Sequence, residues 1–193
     1  MIISAQRKRF SSFSLNMGKS FTVLFTGLSG SGKTTLSALT AEFLLRLGFK
    51  TEILEGAYLK NFLYEMEDQF RFNNIINAKR IIYISKLLNK YGICSLISTI
   101  MPYGESREMF RKEIENYLEI YLECDINILR QERDSKGYYK QAAEEKINYL
   151  IGVNTPYETP SRPDLIIRTD LQNKSDCLEK IILLLRDRKL INV

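Results

Sequence analysis

The residues most suited to chemistry lie together in one glycine-rich segment. Gly27-Leu28-Ser29-Gly30-Ser31-Gly32-Lys33-Thr34 matches the pattern G-x-x-x-x-G-K-[ST], in which glycines let backbone N–H groups turn inward onto phosphate oxygens. In such a loop the ammonium group of Lys33 would bridge the β- and γ-phosphates, and the Thr34 hydroxyl would bind magnesium. The segment, extended by Thr35, therefore predicts a binding site for a nucleoside triphosphate with Mg²⁺.

The elements around this segment are those that the chemistry requires. Phe21–Thr26 is a short run of β-forming residues that ends at the glycines, and Thr34–Leu47 carries apolar residues at helical spacing before Gly48. A helix that begins at the loop directs the positive end of its dipole at the phosphates. This strand–loop–helix context distinguishes a phosphate-binding loop from an ordinary glycine turn.

The rest of the chain also alternates between strand-length and helix-length apolar patterns. Strands separated by helices indicate βαβ crossovers, so we predict an α/β P-loop NTPase fold with a mainly parallel sheet and helices on both faces. Ligands of such sheets bind at the carboxyl ends of the strands. The further predicted strands are Thr51–Leu54, Ile93–Thr99, Tyr117–Leu122 and Leu165–Ile167, and the further predicted helices are Tyr58–Glu67, Asn73–Lys90, Ser106–Asn116, Ile126–Glu132 and Asp176–Arg188. A polar, basic loop and a helix are predicted around Asp134–Lys146.

Composition narrows the class of protein. The 193 residues, 45% hydrophobic and 26% charged, suffice for about one domain with a substantial core. The net charge of +5 is mild and its basic residues are scattered, so we expect no nucleic-acid partner. No apolar run approaches the roughly 20 residues that cross a bilayer, so we expect no membrane partner. Three dispersed cysteines and no histidine exclude the usual zinc sites and His-based triads, and they favour a cytoplasmic protein with reduced thiols.

The first 19 residues differ from the rest. Residues 1–19 contain Arg7, Lys8, Arg9 and Lys19 but no acidic residue. We interpret them as a flexible basic extension, with a transit peptide as the alternative. Residues 20–193 are predicted to form a single P-loop kinase domain.

A guanine-nucleotide switch is a second interpretation of the same loop. Asn173-Lys174-Ser175-Asp176 and Asp134-Ser135-Lys136-Gly137 match the two further motifs that such a protein needs. However, Asp134 follows a polar stretch rather than a strand, and Ser175 is expected to be the N-cap of the last helix. The interpretation is therefore disfavoured.

Several further segments, in the correct order, resemble the adenylylsulfate kinases, which phosphorylate the 3′-hydroxyl of adenosine 5′-phosphosulfate (APS) with MgATP. The most specific are Arg133-Asp134-Ser135-Lys136-Gly137-Tyr138-Tyr139-Lys140 and Gly152-Val153-Asn154-Thr155-Pro156-Tyr157-Glu158-Thr159-Pro160. The resemblance runs from about Phe21 to the C-terminus. It implies an ATP-dependent kinase with a small-molecule acceptor, commonly a homodimer. The other matching segments are Gly27–Thr35, Leu54-Glu55-Gly56, Asn77-Ala78-Lys79-Arg80, and Pro102-Tyr103 with Arg107.

The resemblance implies a role for each matching position. Lys33, Arg133 and Lys136 would neutralise charge on the transferring phosphoryl group, the last two from a mobile lid at about residues 133–147. Glu55 would hold magnesium through water or accept the proton of the acceptor hydroxyl. The acceptor would lie against Ala57, Lys60, Asn77, Arg80, Met101, Tyr103, Arg107 and Leu150.

The sequence departs from the family mainly on the acceptor side. The family signature Asp-Gly-Asp-Asn-φ-Arg is replaced by Glu55-Gly56-Ala57-Tyr58-Leu59-Lys60, which removes a carboxylate at Ala57 and a guanidinium at Lys60. Upstream of Arg80 the family has Glu-Asp-Arg, whereas this chain has Phe72-Asn73-Asn74, with Arg71 as the nearest replacement.

Two apolar replacements extend this pattern. Met101 stands where the family has a serine, and Leu150 stands where a phenylalanine stacks on the adenine of the acceptor. Three interpretations stay open: a kinase for a different nucleotide-type acceptor, an altered adenylylsulfate kinase, or a catalytically silent relative with a regulatory or scaffolding role.

Overall fold

A computed structural model describes residues 20–63 and 71–192, apart from the side chains of Lys60, Phe62 and Leu63. The predicted basic extension, residues 1–19, lies outside this part of the chain. So do residues 64–70, into which the predicted helix Tyr58–Glu67 extends. No helix among the described residues is both long enough and apolar enough to cross a bilayer.

Five parallel strands form one sheet in the order β2-β3-β1-β4-β5. The central strand β1 is buried along its whole length, which explains why its sequence contains no charged residue. The parallel pairing confirms the predicted fold class. The strands are β1 (Thr22–Thr26), β2 (Lys50–Glu55), β3 (Ile93–Ser98), β4 (Tyr117–Glu123) and β5 (Leu165–Arg168).

Helices cover both faces of the sheet. Val23 and Phe25 pack with α1 and α7, whereas Leu24 packs with α3 and α4 on the opposite face, because successive side chains of a strand alternate. The two faces thus carry separate apolar cores. The helices are α1 (Lys33–Arg46), α2 (Gly56–Leu63), α3 (Arg71–Lys90), α4 (Gly104–Glu113), α5 (Ile126–Gln131), α6 (Tyr138–Ala143) and α7 (Lys174–Asp187).

Two local details refine the sequence prediction. Within the loop and helix predicted around Asp134–Lys146, the helix is Tyr138–Ala143, and Gly137, with a left-handed φ of 68°, ends the loop before it. The predicted N-cap at Ser175 is wrong. Asn173 caps α7, since its side-chain oxygen accepts a hydrogen bond from Asp176 N at 2.9 Å. Because Asn173 caps α7, it is further disfavoured as a guanine-binding residue.

Candidate active site

A pocket of about 860 Å³ opens at the carboxyl ends of β1, β2 and β3. Its volume is near the upper end of common ligand pockets and offers room for more than one small molecule. We call the part formed by Gly27–Thr34 (the P-loop), Thr35, Glu55 and residues 133–138 the donor half. We call the part formed by α2, α3 and residues 99–102 the acceptor half.

The P-loop has the backbone that a phosphate cradle needs. Gly27 adopts a φ of 149°, and a Cβ there would lie 2.5 Å from the carbonyl oxygen of Leu122, so only glycine fits. Gly30 and Gly32 also take positive φ values, and Gly32 precedes the first turn of α1. The loop therefore turns sharply between β1 and the helix, as the sequence predicts.

Lys33 is held inside the curve of the loop. Its Nζ donates hydrogen bonds to the carbonyl oxygens of Gly27, at 3.0 Å, and Leu28, at 2.6 Å. Burial, with a smaller contribution from the charge of Lys136, lowers the pKa of Lys33 to about 7. Anionic phosphates would reverse this effect, so the lysine is placed to gain a proton when a triphosphate binds.

Three oxygen atoms converge beside the P-loop. The Thr34 hydroxyl donates to a carboxylate oxygen of Glu55 at 2.9 Å and lies 3.4 Å from the hydroxyl of Ser98. Such hard oxygen ligands, with room left for water, fit Mg²⁺. Ser98 was missed in the sequence analysis, although its position at the end of the predicted strand Ile93–Thr99 could have revealed it. The described residues contain no cluster of three or more His, Cys, Asp or Glu side chains that could hold a metal ion without hydroxyl or water ligands.

The predicted lid segment, residues 133–147, closes one side of the donor half. The exposed Lys136 lines the pocket, and its Nζ lies 6.0 Å from the ring centroid of Tyr138. Arg133 also lines the pocket, but its guanidinium donates to the hydroxyl and carbonyl oxygens of Thr169, at 3.1 and 2.8 Å. Lys136 therefore faces the phosphate-binding region, whereas Arg133 is anchored at the end of β5.

Two contacts tie the C-terminal motifs to the P-loop. The hydroxyl of Tyr139, on α6, donates to the carbonyl oxygen of Ser29 at 2.8 Å. Gly152 has a φ of 86°, and a Cβ there would lie 2.5 Å from a methyl group of Leu28. Both motifs that carry the family resemblance thus pack directly on the phosphate-binding loop.

The acceptor half is built differently. Ala57, Asn77 and Met101, three of the predicted acceptor contacts, line it, and so do Asn61 and Asn74, which the sequence analysis did not select. Met101 has an uncommon positive φ of 41°. Its carbonyl oxygen accepts a hydrogen bond from Arg107 Nη1 at 2.7 Å, which holds the strained turn in place.

Arg107 and Leu150, two further predicted acceptor residues, lie outside the pocket lining. Arg107 is buried, with its Nε 3.0 Å from a carboxylate oxygen of Glu119, so it supports the turn at Met101 from behind. Leu150 packs in a small core with Leu129 and Tyr139, and its neighbour Ile151 lines the pocket instead.

Three further acceptor predictions remain. Tyr103 is buried beneath the guanidinium of Arg71, whose Cζ lies 5.0 Å from the ring centroid. Arg80 is half-buried on α3 and is not part of the pocket lining. The side chain of Lys60 lies outside the described part of the chain. The roles of these residues stay predictions.

Comparison with known proteins identifies the relatives of this chain. A family model described as adenylylsulphate kinase matches residues 19–168. The adenylyl-sulfate kinase of Synechococcus sp. (strain JA-3-3Ab) is 35% identical over 165 residues, which are 86% of this chain and 93% of that protein. That of Chloroflexus aurantiacus is 37% identical over 160 residues, 83% of this chain and 86% of the relative.

Solved structures agree with these matches. The Mycobacterium tuberculosis APS kinase CysC in complex with AMPPNP and APS superposes with a TM-score of 0.81 and 29% identity, covering 88% of this chain and 99% of that one. Shikimate kinase from Aquifex aeolicus superposes with a TM-score of 0.50 and 14% identity, covering 89% of this chain and 100% of that one. The second likeness concerns the fold alone.

Proposed function

This chain belongs to the adenylylsulphate kinase family, and from that premise we propose that it transfers the γ-phosphoryl group of ATP to a hydroxyl of a small, nucleotide-type acceptor. The observation that carries the proposal is the convergence of Lys33, the Thr34–Glu55 pair and Lys136 on one pocket. Phosphoryl transfer requires mainly positioning and positive charge around the migrating group.

The donor half supplies both requirements. Backbone N–H groups of the P-loop and the N-terminus of α1 would orient the β- and γ-phosphates. Lys33 and Lys136 would neutralise the charge that spreads over the γ-phosphoryl oxygens, and Arg133 would hold the lid against the end of β5.

The residues beside the P-loop fit a magnesium ion. Thr34 would bind it directly, with Glu55 and Ser98 holding its water ligands. When bound, the ion supplies positive charge between the phosphates. The 2.9 Å contact with Thr34 favours this task for Glu55 over that of a general base.

The chemical step needs no strong base from this chain. The acceptor hydroxyl oxygen forms a bond to the γ-phosphorus as the bond to the β-phosphate oxygen breaks, and ADP leaves. Because the transition state is loose, the hydroxyl proton is lost late, to water or to an oxygen of the transferred phosphoryl group, so the replacement of the family's second aspartate by Ala57 is compatible with turnover.

The test is product formation from MgATP. Purified chain, γ-labelled ATP and a panel of APS and ribonucleotides are incubated, and phosphorylated products are identified by mass spectrometry. We expect a labelled acceptor that disappears when Mg²⁺ is removed or in the Lys33→Ala variant.

Ala57 favours a second candidate function, that of a nucleotide-binding relative without transferase activity. That candidate predicts magnesium-dependent binding of ATP without transfer to any acceptor of the panel. Absence of magnesium-dependent binding of any triphosphate, measured by calorimetry, would contradict both candidates.

A further inference from the structure

The two halves of the pocket differ in charge. The donor half contains five charged side chains: Lys33, Glu55, Arg133, Asp134 and Lys136. The described residues that line the acceptor half include none. Their polar groups are the carboxamides of Asn61, Asn74 and Asn77 and the hydroxyl of Thr99.

Arg71 and Arg107, two arginines beside the acceptor half, are engaged away from it. The Arg71 guanidinium lies over Tyr103 and donates to a carboxylate oxygen of Glu158 at 3.0 Å. Arg107 is buried against Glu119. Between Asn61 and Phe70, where α2 leads toward α3, the sequence contains neither lysine nor arginine.

The carboxamides are placed to act together. Asn74 and Asn77 are three residues apart on α3, which puts them on one face, and both are buried at the pocket wall. Asn61, near the end of α2, is exposed and lines the same pocket. A carboxamide both donates and accepts hydrogen bonds, so it pairs with uncharged groups that do the same, whereas a sulfate offers acceptors only.

We propose that the acceptor presents an uncharged hydrogen-bonding group to Asn61, Asn74 and Asn77, at the end remote from the reacting hydroxyl. An acceptor with a terminal anion such as sulfate would be disfavoured there, because it would lose its water shell without gaining an ion pair from the described residues of that lining. The inference rests on the proposed function and specifies its substrate class: a nucleotide-type hydroxyl compound whose terminal group is neutral and polar.

Two matched compounds test this recognition. APS carries a terminal sulfate, and adenosine 5′-phosphoramidate carries an uncharged amide in its place. Calorimetry measures the dissociation constant of each for the protein saturated with Mg²⁺ and AMPPNP. We expect the phosphoramidate to bind at least about tenfold more tightly.

Variants of the asparagines sharpen the test. Asn61→Arg introduces a guanidinium at an exposed pocket position and should shift the ratio of the two constants about tenfold toward APS. Asn73→Arg makes the same change on α3 at a residue outside the pocket lining and should leave the ratio unchanged.

Three results would overturn the inference: tighter binding of APS by the unchanged protein, failure of both compounds to bind, or an unaltered ratio in Asn61→Arg. If Lys60→Gln abolished a preference for APS, that preference would be traced to Lys60. Failure of AMPPNP to bind would instead count against the proposed function. The dissociation constants of APS and adenosine 5′-phosphoramidate would then be measured on the protein without nucleotide.

Discussion

The donor and acceptor halves share one pocket but depend on different kinds of structure. The core of the donor half, the P-loop with Thr35, is assembled from consecutive residues, and a backbone turn and one helix end position it. The acceptor half is assembled from α2, α3 and the turn at Met101, which buried side chains hold in place. Local structure thus positions the phosphate-binding groups, whereas long-range packing positions the residues of the acceptor half.

The difference gives a physical reason why an acceptor site can change its chemistry while a P-loop keeps its pattern. Phosphate groups are the same in every triphosphate, so the residues that bind them can keep one pattern. An acceptor wall made of separate side chains can change its chemistry one residue at a time without disturbing the P-loop. Ala57, Asn74 and Met101 are such changes in this chain. The following predictions test this division.

The largest effect is expected at the centre of the donor half. Lys33→Ala should lower kcat about a thousandfold, because the variant lacks the ammonium group that neutralises the transferring phosphoryl group. Steady-state transfer from labelled ATP measures it. Lys180→Ala, which changes an exposed lysine on α7 outside the pocket lining, is the matched control and should change kcat little. Equal activity of the two variants would refute the role assigned to Lys33.

The next effect concerns the support of the acceptor half. Arg107→Met should lower the free energy of unfolding by about 3 kcal/mol, because it removes a buried partner of Glu119 and the hydrogen bonds to the carbonyls of Met101 and Glu158. Urea denaturation measures this loss. In the folded fraction, acceptor KM should rise while affinity for Mg·AMPPNP is retained.

A surface ion pair supplies the control for Arg107. Arg162→Met breaks the exposed contact with Glu108 and should cost less than about 1 kcal/mol. If Arg107→Met weakened the binding of Mg·AMPPNP as much as the binding of the acceptor, the two halves would not be structurally independent.

A smaller effect is expected at the metal-binding side. Glu55→Gln keeps a hydrogen-bond acceptor for Thr34 but removes the negative charge, so the Mg²⁺ concentration for half-maximal activity should rise about tenfold. Titration of activity with Mg²⁺ measures it. Glu52→Gln, on the same strand but outside the pocket, should leave the titration unchanged. An unchanged requirement in Glu55→Gln would exclude Glu55 from the magnesium site.

The smallest effect is a pH dependence confined to the donor half. Lys33 has a pKa of about 7 in the free protein, and bound phosphates would raise it, so binding takes up a proton above that pH. Affinity for Mg·AMPPNP should therefore fall about fivefold between pH 7 and 8 and level off below pH 7. Calorimetry in buffers of different ionisation enthalpy measures the proton uptake. Lys33→Met should abolish the uptake, and the wild-type affinity for APS should lack this dependence.

Much of the fold could be predicted because its signals are local. Alternation of apolar strands and helices gave the parallel sheet, and the glycine pattern between β1 and α1 located the phosphate-binding loop. The misplaced cap of α7 shows the limit of such signals. Asn173 and Ser175 are both good cap residues, and the sequence alone does not show at which of them the helix begins; the structure places the cap at Asn173, which accepts from Asp176 N.

The acceptor half was predicted only in part, because its residues meet through tertiary packing. Asn61 and Asn74 belong to no motif, and they line the pocket only because α2 and α3 pack beside it. Arg107 matched a position that the family uses, yet in this fold it lies in the core beside Glu119.

By itself, the sequence determined the P-loop, the order of strands and helices, and the family, because each depends on residues that are near one another along the chain. The tertiary structure alone decided which distant side chains share the pocket. It brought Ser98 to Thr34 and Glu55, turned Arg133 toward Thr169, and placed three carboxamides in the pocket that the phosphate-binding loop also lines. The physical reason is that the side chains of separate elements meet only after their apolar faces are buried against the sheet.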